Sequence, residues 1–105
     1  MIQLRKQFKK YGETFTQLYK DDEIVIYATT FPSVEVFKYR VRKPNSTHPD
    51  YWEAYPSESD FGKLAWCCTS EKQFNRVLDS HFALTSEKRQ ICVDRYRNFA
   101  SSISR

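Results

Sequence analysis

Alternation of apolar and polar residues dominates the first forty positions of this chain. Ile2, Leu4 and Phe8 share one parity while Gln3, Arg5, Gln7 and Lys9 take the other, the pattern of a half-buried strand. Tyr11-Gly12-Glu13 reads as a turn, and residues 14–19 are β-branched and aromatic, a second strand. After the polar turn Lys20-Asp21-Asp22-Glu23, residues 24–29 are apolar at both parities, which predicts a central strand. Phe31-Pro32-Ser33 breaks the run. Residues 34–42 then alternate again, with Phe37, Tyr39 and Val41 on one face and Lys38, Arg40 and Arg42 on the other. Short turns between consecutive strands favour an antiparallel meander.

The pattern changes in the second half. Residues 43–60 hold three of the four prolines among turn-forming residues and the aromatics Tyr51, Trp52 and Tyr55, so they read as an ordered loop with a short extended piece at 51–55. Ser57 or Ser59 can cap a short helix over residues 60–67. Ser70 with Gln73 three residues on forms a capping box before Phe74, Val77, Leu78 and His81 at helical spacing. Thr85 or Ser86 caps a last helix with the apolar stripe Cys92, Tyr96, Phe99 and Ile103. Strands followed by helices predict one α+β domain: a four-stranded, mostly antiparallel sheet over residues 1–43, an acidic aromatic loop over 44–60, and two or three helices over 61–105 packed on one sheet face.

Composition narrows the function classes. A chain of 105 residues has no room for a separate catalytic domain, and two glycines exclude the glycine-rich phosphate loops. No run is long and apolar enough to span a membrane, and the polar start lacks a signal-peptide core. Cys67, Cys68 and Cys92 are odd in number and two are adjacent, which suits buried thiols in a reducing compartment, so a cytosolic location is expected. These cysteines and two isolated histidines lack the spacing of a metal site. A nucleophile and base drawn from Cys67 or Cys68 with His81 or His48 lacks any surrounding signature, and a packed core is the plainer account. No cofactor is expected and the chain is read as non-enzymatic.

Charge is distributed unevenly. The net charge is +4, with residues 1–43 and 63–105 each in basic excess and residues 44–62 carrying only acids. Those acids are Asp50, Glu53, Glu58 and Asp60, interleaved with Tyr51 and Trp52, a composition that suits a protein-contact loop. The alternative is that Trp52 and Tyr55 tuck the loop onto the core. Arg5 and Lys9 fall on the side of Lys38, Arg40 and Arg42, giving a basic sheet face suited to a nucleic-acid backbone. Lys6 and Lys10 have the wrong parity and join only through a bulge or strand end. Phe37 and Tyr39 lie on the opposite face, against an RRM-like stacking platform.

The stretch Glu53-Ala54-Tyr55-Pro56, followed by Asp60-Phe61-Gly62 and Ala65-Trp66, resembles a pattern in short, uncharacterised phage and mobile-element proteins. The resemblance covers roughly residues 24–82, with a sheet-like segment before the motif and an amphipathic helix after it. It implies an accessory protein in the host cytosol that binds and antagonises host machinery. Together these readings predict a binding protein that docks on a host or defence protein, such as a nucleic-acid-processing enzyme, and blocks it sterically. The alternatives are direct nucleic-acid binding through the basic face, and a small homo-oligomeric structural or assembly protein.

Overall fold

Six consecutive buried residues, Ile24–Thr29, form the strand around which the molecule is organised. A strand buried on both faces needs a layer on each side, and the sequence supplies two different ones. The computed structural model describes residues 1–103. The elements are β1 (Gln7–Lys10), β2 (Glu13–Lys20), β3 (Ile24–Thr29), β4 (Ser33–Lys38), β5 (Val41–Arg42), β6 (Trp52–Glu53), a single 3-10 turn at Glu58–Asp60, β7 (Ala65–Cys68), α1 (Glu71–His81) and α2 (Ser86–Ile103). Five strands make one antiparallel sheet in the order β1-β2-β3-β4-β7, and β5 with β6 makes a separate two-stranded ribbon. The fold is α+β.

Both helices lie on one face. There Ile24, Ile26, Ala28, Val34, Val36 and Cys68 meet Phe74, Leu78, Cys92, Val93 and Tyr96. Ser70 Oγ accepts from the Gln73 amide at 3.2 Å, and Gln73 Oε1 reaches back to the Thr69 amide at 2.8 Å, so the capping pair closes one residue earlier than the standard box. Thr85 Oγ1 accepts from the Lys88 amide and starts α2. Lys88 Nζ then pins that helix to the β2–β3 turn through Asp21 at 2.8 Å and Glu23 at 2.7 Å.

The other face carries Phe15, Val25, Tyr27, Phe37 and Ala65, covered by Leu4, Phe8, Tyr39, Tyr55 and Phe61. Tyr55 is the hub of this layer. Its ring meets Phe8, Tyr27 and Phe37 at centroid separations of 5.3, 5.4 and 5.0 Å, all edge-on, and its hydroxyl donates to Glu35. Loop segment 51–61 is therefore the second covering layer, as the tucked-loop reading has it.

Three sequence expectations are corrected. The sheet has five strands, because residues 65–68 pair with β4 instead of ending a helix over 60–67. Helical winding stops after one 3-10 turn; Gly62 then takes φ +91°, a left-handed conformation, and its amide donates to the Ala65 carbonyl, turning the chain onto the open edge of β4. The two helices share one face as expected, and the loop segment covers the other. The run 34–42 is two strands: the Tyr39 amide makes the last rung to the Glu23 carbonyl, and then the Arg40 carbonyl accepts from Ala54, handing β5 to the ribbon. Finally, only Gln7–Lys10 of the first strand joins the sheet, while Ile2 bridges Trp52 and extends the ribbon.

Candidate functional site

The acidic segment is mostly neutralised from within. Glu53 is buried, and its carboxylate accepts from Lys20 Nζ at 2.6 Å, the Tyr39 hydroxyl at 2.6 Å and the Leu4 amide at 2.8 Å. Lys20 reaches this face because β2 is bulged between Gln17 and Tyr19. The irregularity leaves both Leu18 and Tyr19 against the helices and turns Lys20 to the opposite side. Burial alone would raise the Glu53 pKa, but the Lys20 ammonium, the Tyr39 hydroxyl and the Leu4 amide outweigh it and hold the carboxyl below its usual range. The hydrogen bond to that carboxylate pushes the Tyr39 phenol up to about 12.

Asp60 accepts from the Ser57 amide at 2.8 Å and from Arg40 at 2.8 Å, closing the 3-10 turn. Asp50 is exposed and sits 3.3 Å from the N-terminal ammonium. Glu58 is exposed and has no cation partner among the described residues. The expected acidic contact loop is thus corrected: Glu53 and Asp60 face inward partners, Tyr51 and Asp50 are exposed, and Trp52 is half-buried with His48 stacked on it at 4.3 Å.

The basic sheet face is corrected as well, since no sheet face is left open for it. Lys38 points to the helix side, where its Nζ donates to the His81 carbonyl at 2.6 Å at the end of α1 and lies 4.8 Å from the Phe82 ring centre. Arg40 is committed to Asp60. Arg5, Lys9 and Arg42 remain exposed and without a carboxylate partner among the described residues, as do Lys6, Lys10 and Lys43.

Three of those free cations, Arg5, Lys9 and Lys10, line a groove. Between β1 with its preceding segment and the 52–55 stretch lies a cavity of about 480 Å³ lined by Gln3, Leu4, Arg5, Phe8, Lys9, Lys10, Trp52, Glu53 and Tyr55. Lys10 Nζ stands 5.8 Å from the Tyr55 ring centre. Arg42 lies directly across the ribbon from Trp52, so the cationic rim continues past the indole. Parity set Lys10 apart from Arg5 and Lys9 in the sequence, but it is the parity of Phe8, itself a groove wall, so regular alternation brings Lys10 to the Tyr55 face. Phe8 and Tyr55 were legible as apolar, but their being groove walls depends on the loop crossing the sheet.

Cysteine chemistry finds no assembled site. Cys67 lies across from Glu35 on the Tyr55 face, whereas His81 stacks on Trp66 at 4.0 Å on the helix side. Cys68 and Cys92 are buried, and burial pushes both thiols up to about 11. Cys67 is exposed, which corrects its reading as a core residue. No group of three potential metal ligands occurs among the described residues, and no helix there is long and apolar enough to cross a membrane. Comparison with protein-family models, curated proteins and solved structures finds no match to this chain.

Proposed function

We propose that the chain is a non-enzymatic binding protein whose groove takes single-stranded nucleic acid, with phosphates along Arg5, Lys9, Lys10 and Arg42 and a base against the Trp52 wall. One observation carries the reading. Seven of the carboxylates are held by cations of the chain, while the cations around this groove are free and stand among aromatic rings. Free cations beside half-buried aromatic rings suit an unpaired strand, because its backbone is polyanionic and its bases are open for stacking. A duplex keeps its bases stacked inside and gains nothing from Trp52. The steric-inhibitor reading receives less support, since it asks Glu53 and Asp60 to face a partner.

The test is fluorescence polarisation with a labelled oligothymidine across a salt series. Four phosphate contacts predict a log–log salt slope of about −3, at about −0.7 per contact. Arg5→Ala and Lys9→Ala should each flatten the slope by about 0.7. Trp52→Ala should weaken binding by about 1–3 kcal/mol with the slope unchanged. A slope near zero, or one unmoved by those substitutions, overturns the proposal.

A further inference from the structure

The two edges of the sheet are built differently. β1 is guarded by Lys6, Lys9 and Lys10, the usual defence of an edge against pairing with another chain. β7 has the sequence Ala-Trp-Cys-Cys and carries no charge at all. Its backbone is also offered outward. Lys38 N–H donates to the Leu64 carbonyl at 2.9 Å, which marks that pair as hydrogen-bonded. In an antiparallel ladder the bonded pairs alternate, so Trp66 and Cys68 face β4 while Ala65 and Cys67 turn their N–H and C=O groups away from it. Gly62 N–H already occupies the Ala65 carbonyl at 2.7 Å, leaving Cys67 with one outward donor and one outward acceptor.

Beside this edge is a cavity of about 330 Å³ whose lining includes Phe61, Trp66, Cys67, Arg76 and Val77. Its helix side is positive, while Glu35, opposite Cys67, lies on the Phe61 side. The two carboxylates of α1 are both spent on α2, Glu71 on Arg97 and Asp79 on Arg89, each at 2.8–2.9 Å. Lys72 and Arg76, one turn apart on the same helix face, are left without a carboxylate among the described residues, and so is Lys63 next to the Gly62 turn.

We propose that β7 is a docking edge that takes one extended, acidic segment of a partner protein by strand addition. A peptide supplies both an N–H and a C=O to Cys67, whereas a phosphodiester strand has only acceptors to offer the backbone. Side chains of an added strand alternate between faces, so acidic residues two apart fall on the helix side with Arg76 while the residues between them meet Phe61. A second copy of this chain is the poorer occupant, because it sets Lys63, Lys72 and Arg76 against themselves.

The experiment titrates the isotope-labelled full chain with a capped peptide of about ten residues alternating valine and glutamate, followed by the Cys67 amide and Trp66 indole signals in NMR. Saturable shifts confined to β7, the Gly62 turn and the facing turns of α1 are expected. A valine–lysine peptide of the same length should bind at least about tenfold more weakly. The double substitution Lys72→Glu with Arg76→Glu should invert that preference. Cys67→Pro should abolish binding while sparing the β4 ladder, since the lost N–H points outward. Should that variant unfold, the charge reversal decides alone. The proposal fails if no saturable shift appears at about 1 mM peptide. It also fails if both peptides bind equally, if oligothymidine displaces the peptide, or if light scattering shows a dimer that already occupies the edge.

Discussion

Replacing Glu53 by glutamine removes one negative charge from the point where three parts of the chain meet. The carboxylate ties β6 to the N-terminal segment through Leu4, to β2 through Lys20 and to the end of β4 through Tyr39. Hydrogen bonds to a charged acceptor contribute about 1.5–3 kcal/mol each. Glutamine keeps one carbonyl, which serves one donor, and aims its own amide at the others. The Glu53 side chain is 4% exposed but that of Lys20 is 22% exposed, so the ammonium can swing toward water and recover part of its solvation. That relief places the expected loss at about 2–4 kcal/mol, beneath the 3–5 kcal/mol of a fully buried pair broken on one side.

The pH dependence separates the charge from mere packing. Because the folded state holds the Glu53 pKa below its unfolded value of about 4.3, the stabilisation is fully present above that value. It is lost as pH falls through the lowered folded value. Urea unfolding of both proteins between pH 7 and pH 3 should therefore show a difference that is constant down to about pH 5 and then shrinks. A loss below about 1 kcal/mol at pH 7, or a difference that stays flat to pH 3, would refute the reasoning. Lys20→Met in the glutamine background should couple with it by about 1–3 kcal/mol in a double-mutant cycle. The same substitution loosens the segment bearing Arg5 and Lys9, so oligothymidine affinity should fall several-fold without a change of salt slope.

Three further outcomes follow from single sites. Tyr11 holds φ +54° at the first position of the β1–β2 turn, with Gly12 at +76°, and is 86% exposed; Tyr11→Asn should raise stability by about 0.5–1 kcal/mol in thermal unfolding. Asn75 Oδ1 is buried with no hydrogen-bond donor among the described residues, so Asn75→Leu should stabilise by about 1 kcal/mol, and a lowered Tm would count against an unsatisfied acceptor there. Native protein should expose one fast-reacting thiol, Cys67, to a chromogenic disulfide reagent, and three in denaturant; fast reaction at Cys68 or Cys92 would contradict their burial.

Where residues answer only to their neighbours in sequence, the pattern sufficed. Residues 24–29 are apolar at both parities because β3 is covered twice, and Ser70 with Gln73 announces α1 because a cap is made within four residues. The misread stretches are those whose partners are distant. Ala65-Trp66-Cys67-Cys68 is too short for periodicity to separate strand from helix, and what decides it is the unpaired edge of β4 thirty residues earlier. The end of β4 at Lys38 is equally invisible locally, since alternation continues through Arg42 while the backbone has already turned to the ribbon.

Charge shows the same division in a form that bears on function. Counted along the chain, residues 44–62 are an acidic block between two basic ones, which invites the inference that the block is a binding surface. Counted in space, the block loses three of its four acids to Met1, Lys20 and Arg40, each contributed by the basic N-terminal portion. Internal pairing of this kind cancels opposite charges near one another and leaves the net +4 to be carried by whatever is not paired. The residue left over is the informative one. Around the groove it is Arg5, Lys9, Lys10 and Arg42 beside aromatic rings, and along β7 it is Lys63, Lys72 and Arg76 beside an open backbone edge. The two cationic surfaces differ in what accompanies the charge, rings in one case and ladder donors and acceptors in the other, and on that difference rest the two proposals, bases for the groove and a polypeptide for the edge.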